Sequence, residues 1–238
     1  LNTRRICLAL TCLALRSLLA WGQQSHPIVL QNPSFETECY YDYILPPSWT
    51  DFVPSLKTPN RVHPFYNQVP KTRKVWDSEE NAFVNVLATE AVWQKLQKPA
   101  HGSRFTSLLA SDLGQKQSLT QVMEGILQAG RSYTFNLQLA WAKNFWQSEE
   151  GSERPVNYDK PLRLAIWGGN AENHKAELLG ITAPVSSKKW KKYFFVLKPS
   201  KADCTYLTLE ADFAIEIGVF YNGNILLDNC SPIEIINK

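Results

Sequence analysis

The chain has 238 residues, of which 44% are hydrophobic, 20% charged and 12% aromatic, with eight tryptophans. This is an ordinary globular composition, large enough for one domain with a sizeable core, and it excludes a low-complexity or disordered chain. The net charge of +3 is the contribution of three arginines in the first 24 residues; the rest balances 22 basic against 22 acidic side chains, which excludes nucleic-acid binding through a general basic field.

In chain order, residues 1–22 read as a secretory signal peptide. Arg4 and Arg5 form a positive start, Ile6 to Leu15 is an apolar run, and Ala20 and Gly22 are small residues suited to cleavage before Gln23. The alternative, an uncleaved anchor, is disfavoured because Arg16 interrupts a run already short of the ~20 residues needed to span a bilayer. The expected product is a domain over 23–238, secreted or held at the cell surface, with no transmembrane segment after cleavage. It keeps Cys39, Cys204 and Cys230. An exported chain can keep a disulfide, and two readings stay open: Cys204 and Cys230, at strand-like positions, pair, or all three are buried thiols. No cysteine or histidine spacing suggests zinc.

After the leader the hydrophobic period is mainly two, with polar turns between runs, which predicts strands. They fall at Ile28 to Glu36, Ser48 to Val53, Arg104 to Ser111, Leu119 to Leu127, Arg131 to Ala142, Leu162 to Trp167, Trp190 to Leu197, Thr205 to Phe213 and Asn224 to Ile235. The clearest is Arg131 to Ala142, where Tyr133, Phe135, Leu137, Leu139 and Trp141 alternate with Thr134, Asn136, Gln138 and Ala140. Gly168-Gly169-Asn170 reads as a turn. Residues 54–97 read as an insertion: a Pro-rich loop over 54–78, then an amphipathic helix over 79–97 from the spacing of Phe83, Val86, Leu87, Trp93 and Leu96. Residues 143–160 read as a second long loop. Lys188-Lys189-Trp190-Lys191-Lys192 is a local basic cluster, read as a solvated strand start around a buried Trp. Eight or nine such strands predict an all-β, two-sheet sandwich.

Several motifs sharpen this. They are Asn32-Pro33-Ser34-Phe35-Glu36 after the leader, Leu127-Gln128-Ala129-Gly130-Arg131-Ser132-Tyr133-Thr134-Phe135, Leu162-Arg163-Leu164-Ala165-Ile166-Trp167-Gly168-Gly169, Trp190-Lys191-Lys192-Tyr193-Phe194-Phe195, and Tyr221-Asn222-Gly223-Asn224-Ile225-Leu226-Leu227-Asp228-Asn229. In order and spacing they resemble the secreted and cell-surface jelly-roll, galactose-binding-like (carbohydrate-binding-module-like) domains of gliding-type bacteria, over about residues 28–50 and 100–236. The resemblance implies a jelly-roll sandwich whose first and last strands are neighbours. Similar domains carry cysteines where Ser132 stands and near His174; both are missing here.

The resemblance brings Glu36 and Asp228 together, and hard cations want carboxylate and carbonyl oxygens, so the pair is a candidate structural calcium site. The competing reading is two carboxylates hydrogen-bonded to turn amides. A second candidate is a carbohydrate face, because sugars stack their C–H faces on aromatic rings beside amides and carboxylates. Asn136, Gln138, Arg163, Trp167, Tyr206 and Glu210 all alternate with core positions and are expected on adjacent strands. Against this, Trp167 can plug the sandwich and Arg163–Glu210 can be a plain surface ion pair. A third candidate is the loop set Trp141, Phe145, Trp146, Phe220 and Tyr221, able to contact another surface protein or to fold onto the sandwich edge.

No G-x-S-x-G, H-E-x-x-H or phosphate-cradling loop is present, and the four histidines are scattered. The expected function is therefore a secreted, non-catalytic module that recognises cell-surface carbohydrate. Adhesion through aromatic loops and a glycan-active enzyme are the alternatives.

Overall fold

The computed structural model describes residues 26–36, 48–51, 66–67, 72–77, 82–87, 98–148, 155–214 and 219–237. Its regular elements are strands: β1 Thr50–Asp51, β2 Tyr66–Asn67, β3 Thr72–Asp77, β4 Ala82–Leu87, β5 Phe105–Ala110, β6 Ser118–Leu127, β7 Tyr133–Ala140, β8 Trp146–Ser148, β9 Pro155–Asn157, β10 Lys160–Gly169, β11 Glu177–Ile181, β12 Lys191–Leu197, β13 Cys204–Phe213, β14 Gly223–Asp228 and β15 Glu234–Ile235.

They form a jelly-roll sandwich. One sheet runs β1-β6-β13-β10-β11, antiparallel throughout. The other runs β2-β5-β14-β7-β12, also antiparallel, with β15 completing the end of β7 that β14 does not reach. A short parallel contact, Lys160↔Gly223 and Pro161↔Asn224, sews the start of β10 to β14 and so joins the sheets at one seam.

The pleat explains the core. Leu162, Leu164 and Ile166 of β10, Leu207, Leu209 and Ala211 of β13, Phe135, Leu137 and Leu139 of β7, and Ile225 and Leu227 of β14 point inward and pack together. Each such side chain removes enough apolar surface from water to stabilise the fold by ~1.5–3 kcal/mol before ordering entropy is set against it. Strands β5 and β14 are buried on both faces. Their second faces, through Phe105, Leu109 and Leu226, join Ala140, Phe145 and Tyr158 in a smaller core that roofs the outside of the β5-β14-β7 sheet. This two-sided burial is why Ile225–Leu227 of β14 reads as an aliphatic run without alternation.

Several expectations need correction. The segment read as a helix over 79–97 opens with a strand, β4, paired antiparallel with β3 from Thr72↔Leu87 to Asp77↔Ala82; residues 88–97 lie outside the described residues. Phe83, Val84 and Val86 suit a pleated strand better than a helix, and a short apolar run does not separate the two periods. The second long loop contains the β8–β9 hairpin. Gly168 and Gly169 belong to β10, and the turn follows at 170–173. A side chain at Gly169 would strike the His174 carbonyl where the chain doubles back, so the residue marks a close approach and not a turn. Ile28 to Glu36 contributes one bridge, Ile28↔Ile233, followed by a tight turn over Asn32–Phe35. Cys204 and Cys230 are buried free thiols, not a disulfide, and burial pushes the Cys230 thiol far up. Cys39 and the signal segment lie outside the described residues.

Candidate functional site

The two ends of the domain meet as the motifs implied. Cys230 donates its backbone N–H to the Pro33 carbonyl at 2.9 Å, placing the turn before Glu36 beside the end of β14. Phe35 takes a left-handed φ of 59°, rare for an aromatic residue, while its ring is fully buried 5.8 Å from Trp49. That conformation buries Phe35 and leaves Glu36 aimed at residues 100–104.

There the carboxylates of Glu36 and Asp228 grip one turn. Asp228 Oδ2 accepts from the backbone N–H groups of Ala100 at 2.8 Å and His101 at 2.9 Å. Glu36 accepts from Ser103 N at 3.0 Å, Ser103 Oγ at 2.8 Å and Arg104 N at 2.9 Å. Gly102 sits between them with φ 63°, and a Cβ there would overlap the Glu36 carboxylate. Burial raises the Glu36 proton affinity, but the Ser103 and Arg104 hydrogen bonds outweigh it, and its pKa lies below the ordinary value. At Asp228 burial wins over the amide hydrogen bonds, and its pKa is raised to about 6.

The calcium expectation meets this geometry at one atom. Asp228 Oδ1 is buried and has no hydrogen-bond partner among the described residues, the kind of orphaned oxygen a hard cation satisfies. The Glu36 oxygens already hold amides. No group of three or more His, Cys, Asp or Glu gathers among the described residues, so further ligands would be backbone carbonyls.

The six residues expected on one carbohydrate face divide between two. Asn136 and Gln138 point outward from β7, in the β14-β7-β12 sheet. Arg163, Trp167, Tyr206 and Glu210 point outward from β10 and β13, in the other sheet. Period-two reading gives the side of a strand but not which sheet the strand joins, and a jelly roll separates strands that are neighbours in sequence.

On the β10-β13 face the Arg163–Glu210 pair is absent. Arg163 Nη2 bonds Asp212 Oδ2 at 2.7 Å, and Lys116 Nζ reaches Asp212 Oδ1 at 2.9 Å. Glu210 is held by two other groups: it accepts from the Trp167 indole Nε1 at 2.9 Å and pairs with Lys175. Beside it runs a row of buried polar side chains, Ser118, Thr120 and Thr208, with the Thr120 and Thr208 hydroxyls 2.8 Å apart. Half-buried Trp167 and Tyr206 flank that row, with exposed Val122, Leu178 and Ile181 beyond. Asp212, Lys116, Lys175 and Thr120 were not singled out from sequence. Strand parity puts Asp212 and Thr208 outward, but pairing partners follow from register.

The aromatic loop set divides too. Phe145 is buried in the smaller core, and Tyr221 packs on Phe213 with its hydroxyl donating to the Pro161 carbonyl and accepting from Ala214 N. Phe220 remains half exposed, and the Trp146 side chain lies outside what is described. Trp190 of the basic cluster packs edge-on against Phe105, 5.4 Å between ring centroids, but is half-buried where the sequence reading expects a buried Trp.

The chain matches no protein-family model and no curated protein. Solved structures do resemble it. A Stig cyclase, Fisc from Fischerella sp. TAU, in complex with (3Z)-3-(1-methyl-2-pyrrolidinylidene)-3H-indole, is 13% identical with a TM-score of 0.51, covering 88% of this chain and 97% of its own. A cyclase from Fischerella sp. TAU in complex with 4-(1H-indol-3-yl)butan-2-one is 14% identical with a TM-score of 0.52, covering 90% and 100%. TmCBM61 in complex with β-1,4-galactotriose gives a TM-score of 0.40 at 10% identity, covering 90% and 100%. The expectation of a non-catalytic domain is therefore corrected. The same sandwich carries catalysis in the cyclases, and the absence of a sequence motif is no argument, because acids placed by strands from different parts of a chain leave no spacing to read. At this identity the likeness is one of fold.

Proposed function

We propose that the chain is an exported jelly-roll domain that binds carbohydrate on the outer face of the β10-β13 sheet, around Trp167. The observation that carries this reading is the fixed geometry of Trp167. Its indole N–H is tied to Glu210, its ring is half open, and polar side chains with both donors and acceptors lie beside it. A pyranose ring presents an apolar C–H face to such an indole and hydroxyls to Glu210, Lys175 and the Arg163–Asp212 pair. The ion pairs hold those groups in place before a ligand arrives, so less ordering is lost on binding.

Gel electrophoresis through β-1,4-galactan, xylan and a mixed-linkage glucan tests it. Retardation of the wild type by one of these, lost in Trp167→Ala, is expected; mobility unchanged in every gel, or equal retardation of the variant, defeats the reading. Glu210 lies on the same face, on the central strand β13 and bonded to the Trp167 indole, so each polysaccharide is also scored for released product. Product formation that disappears in Glu210→Gln assigns that carboxylate a part in turnover.

We also propose that Asp228 and Glu36 hold a structural Ca²⁺ that braces the ends of the domain. Its support is the buried, unpartnered Asp228 Oδ1. Added Ca²⁺ is expected to raise the melting temperature and EDTA to lower it, with neither effect in Asp228→Asn. A melting curve indifferent to both leaves the turn amides as the whole of the clamp.

A further inference from the structure

The opposite face of the sandwich carries a second set of groups that the Trp167 reading does not use. Edge strand β12 presents Lys192, Phe194 and Val196 on its outer side, paired across to Gln138, Asn136 and Thr134 of β7. Phe194 is 74% exposed and Val196 60%, the two most open large hydrophobics on either sheet among the described residues. An exposed phenyl ring on a sheet face costs solvation without helping the core, so it points to contact with something else. The Lys192 ammonium lies 5.4 Å from the Phe194 ring centroid, so a cation and a stacking surface are presented together.

Below Val196 the same face runs into a groove of about 510 Å³ lined by Arg131, Ser132, Val196, Lys198 and Ile236. That volume falls within the ~300–1,000 Å³ typical of small-ligand clefts. Arg131, Lys192 and Lys198 are exposed and form no salt bridge among the described residues. The acids along this stretch are Glu234, exposed opposite Thr134, and Asp228, buried opposite Gln138. Three cations outside any salt bridge among the described residues, against one exposed carboxylate, in a domain neutral as a whole, make a local anion-seeking strip. The side-chain amides of Asn136 and Gln138 form no hydrogen bond among the described residues.

We infer that this strip, from Lys192 through Phe194 to the Arg131–Lys198 groove, is a second binding site, for an acidic polysaccharide chain. A sugar acid matches the groups in kind. Its C–H face stacks on Phe194, its hydroxyls meet Asn136 and Gln138, and its carboxylate or sulfate ester pairs with Lys192, Lys198 or Arg131. An extended chain is favoured over a single sugar because the groups are strung along one strand and into the groove below it. A nucleic acid would also stack and pair, but three cations in a neutral domain fall short of the basic field it needs.

The site lies on the other sheet from Trp167, so it stands or falls separately. Fluorescein-labelled oligogalacturonate, with the protein from residue 23 onward, is titrated by fluorescence anisotropy at 50 mM NaCl. Dextran sulfate, neutral β-1,4-galactan and a single-stranded oligonucleotide act as competitors. Saturable binding is expected, weakened at least fivefold at 300 mM NaCl by screening of the ion pairs. Phe194→Ala and the pair Lys192→Glu with Lys198→Glu should each weaken it roughly tenfold, while Trp167→Ala leaves it unchanged. Competition by dextran sulfate shows that sulfate esters also serve; its failure narrows the site to carboxylated sugars. No binding, equal competition by neutral galactan, stronger competition by the oligonucleotide, or loss in Trp167→Ala but not Phe194→Ala overturns the inference. The substituted side chains are exposed, so an unchanged melting temperature separates lost binding from lost folding.

Discussion

At the scale of single residues the chain-end clamp carries the sharpest consequences. The folded-state pKa of Asp228 is about 6, above the 3.8 of a free carboxyl, so the folded protein holds this proton more tightly than the unfolded one. The stability from this group is therefore fully present below about pH 4 and lost as pH rises through 6, an effect on the order of 2–3 kcal/mol for so large a shift. Glu36 has the opposite sign. Its depressed pKa adds stability above the ordinary carboxyl value that is lost as pH falls through its folded pKa. In calcium-free buffer the melting temperature is thus expected to rise from pH 7.5 towards pH 5 and to fall again in stronger acid. Asp228→Asn should flatten the upper limb alone. A melting temperature that climbs steadily to pH 7.5 in EDTA would contradict the burial of an unsatisfied Asp228 oxygen. Gly102→Ala meets both a left-handed φ and the Glu36 carboxylate, and should cost about 1–3 kcal/mol in urea unfolding.

At the scale of elements the informative side chain is Asn224. It is fully buried on the outer side of β14, accepts from Ala142 N through Oδ1, and donates through Nδ2 to the carbonyls of Ala142 and Tyr158. It thereby ties both ends of the segment carrying β8 and β9 to the sheet. Asn224→Ala strands those backbone groups, and a loss of roughly 2–4 kcal/mol with faster proteolysis between 141 and 160 is expected. Protease resistance unchanged from wild type would show that the smaller core alone seats the segment.

Much at this scale was legible beforehand. β5, β6, β7, β10, β12 and β13 follow from turn-bounded, largely period-two runs, and β14 from an aliphatic run, because each buries one or both faces in a continuous core. The Glu36–Asp228 meeting followed from the motifs at the two ends. β3 was missed because Thr72–Asp77 is mostly polar and lies in a Pro-rich stretch, β4 because a short apolar run fits either period, and β11 because five residues with a register shift against β10 at Ile166/Trp167 leave too little alternation to detect. The candidate carbohydrate face was half legible. Outward parity was right for all six residues, yet sheet membership depends on long-range pairing that no local pattern encodes. Phe194 was passed over because an aromatic in a strand-like run is more often core than surface.

At the scale of the whole molecule the sandwich should unfold as one unit, since Leu137, Leu164, Leu209 and Leu227 from both sheets share a single core. Leu209→Ala is expected to lower stability by about 2–5 kcal/mol with an unchanged denaturant slope, whereas Phe194→Ala, on the open face, should change it by less than about 0.5 kcal/mol. A comparable loss from Phe194→Ala would mean that the residue supports the fold and that its exposure has another cause.

The parallel contact between β10 and β14 has a mechanical consequence. Lys160 and Pro161 fasten the two sheets at the start of two interior strands, with Lys160 N–H donating to the Asn222 carbonyl at 3.2 Å, while β12 and β1 are outer strands, each paired with one strand only among the described residues. Transient opening should then begin at the outer strands and spare the spine at 160–161 and 223–224. Amide deuterium uptake would be slowest at that spine and quickest along β12. A pulling force applied across the spine would meet far more resistance than the same force applied at β12.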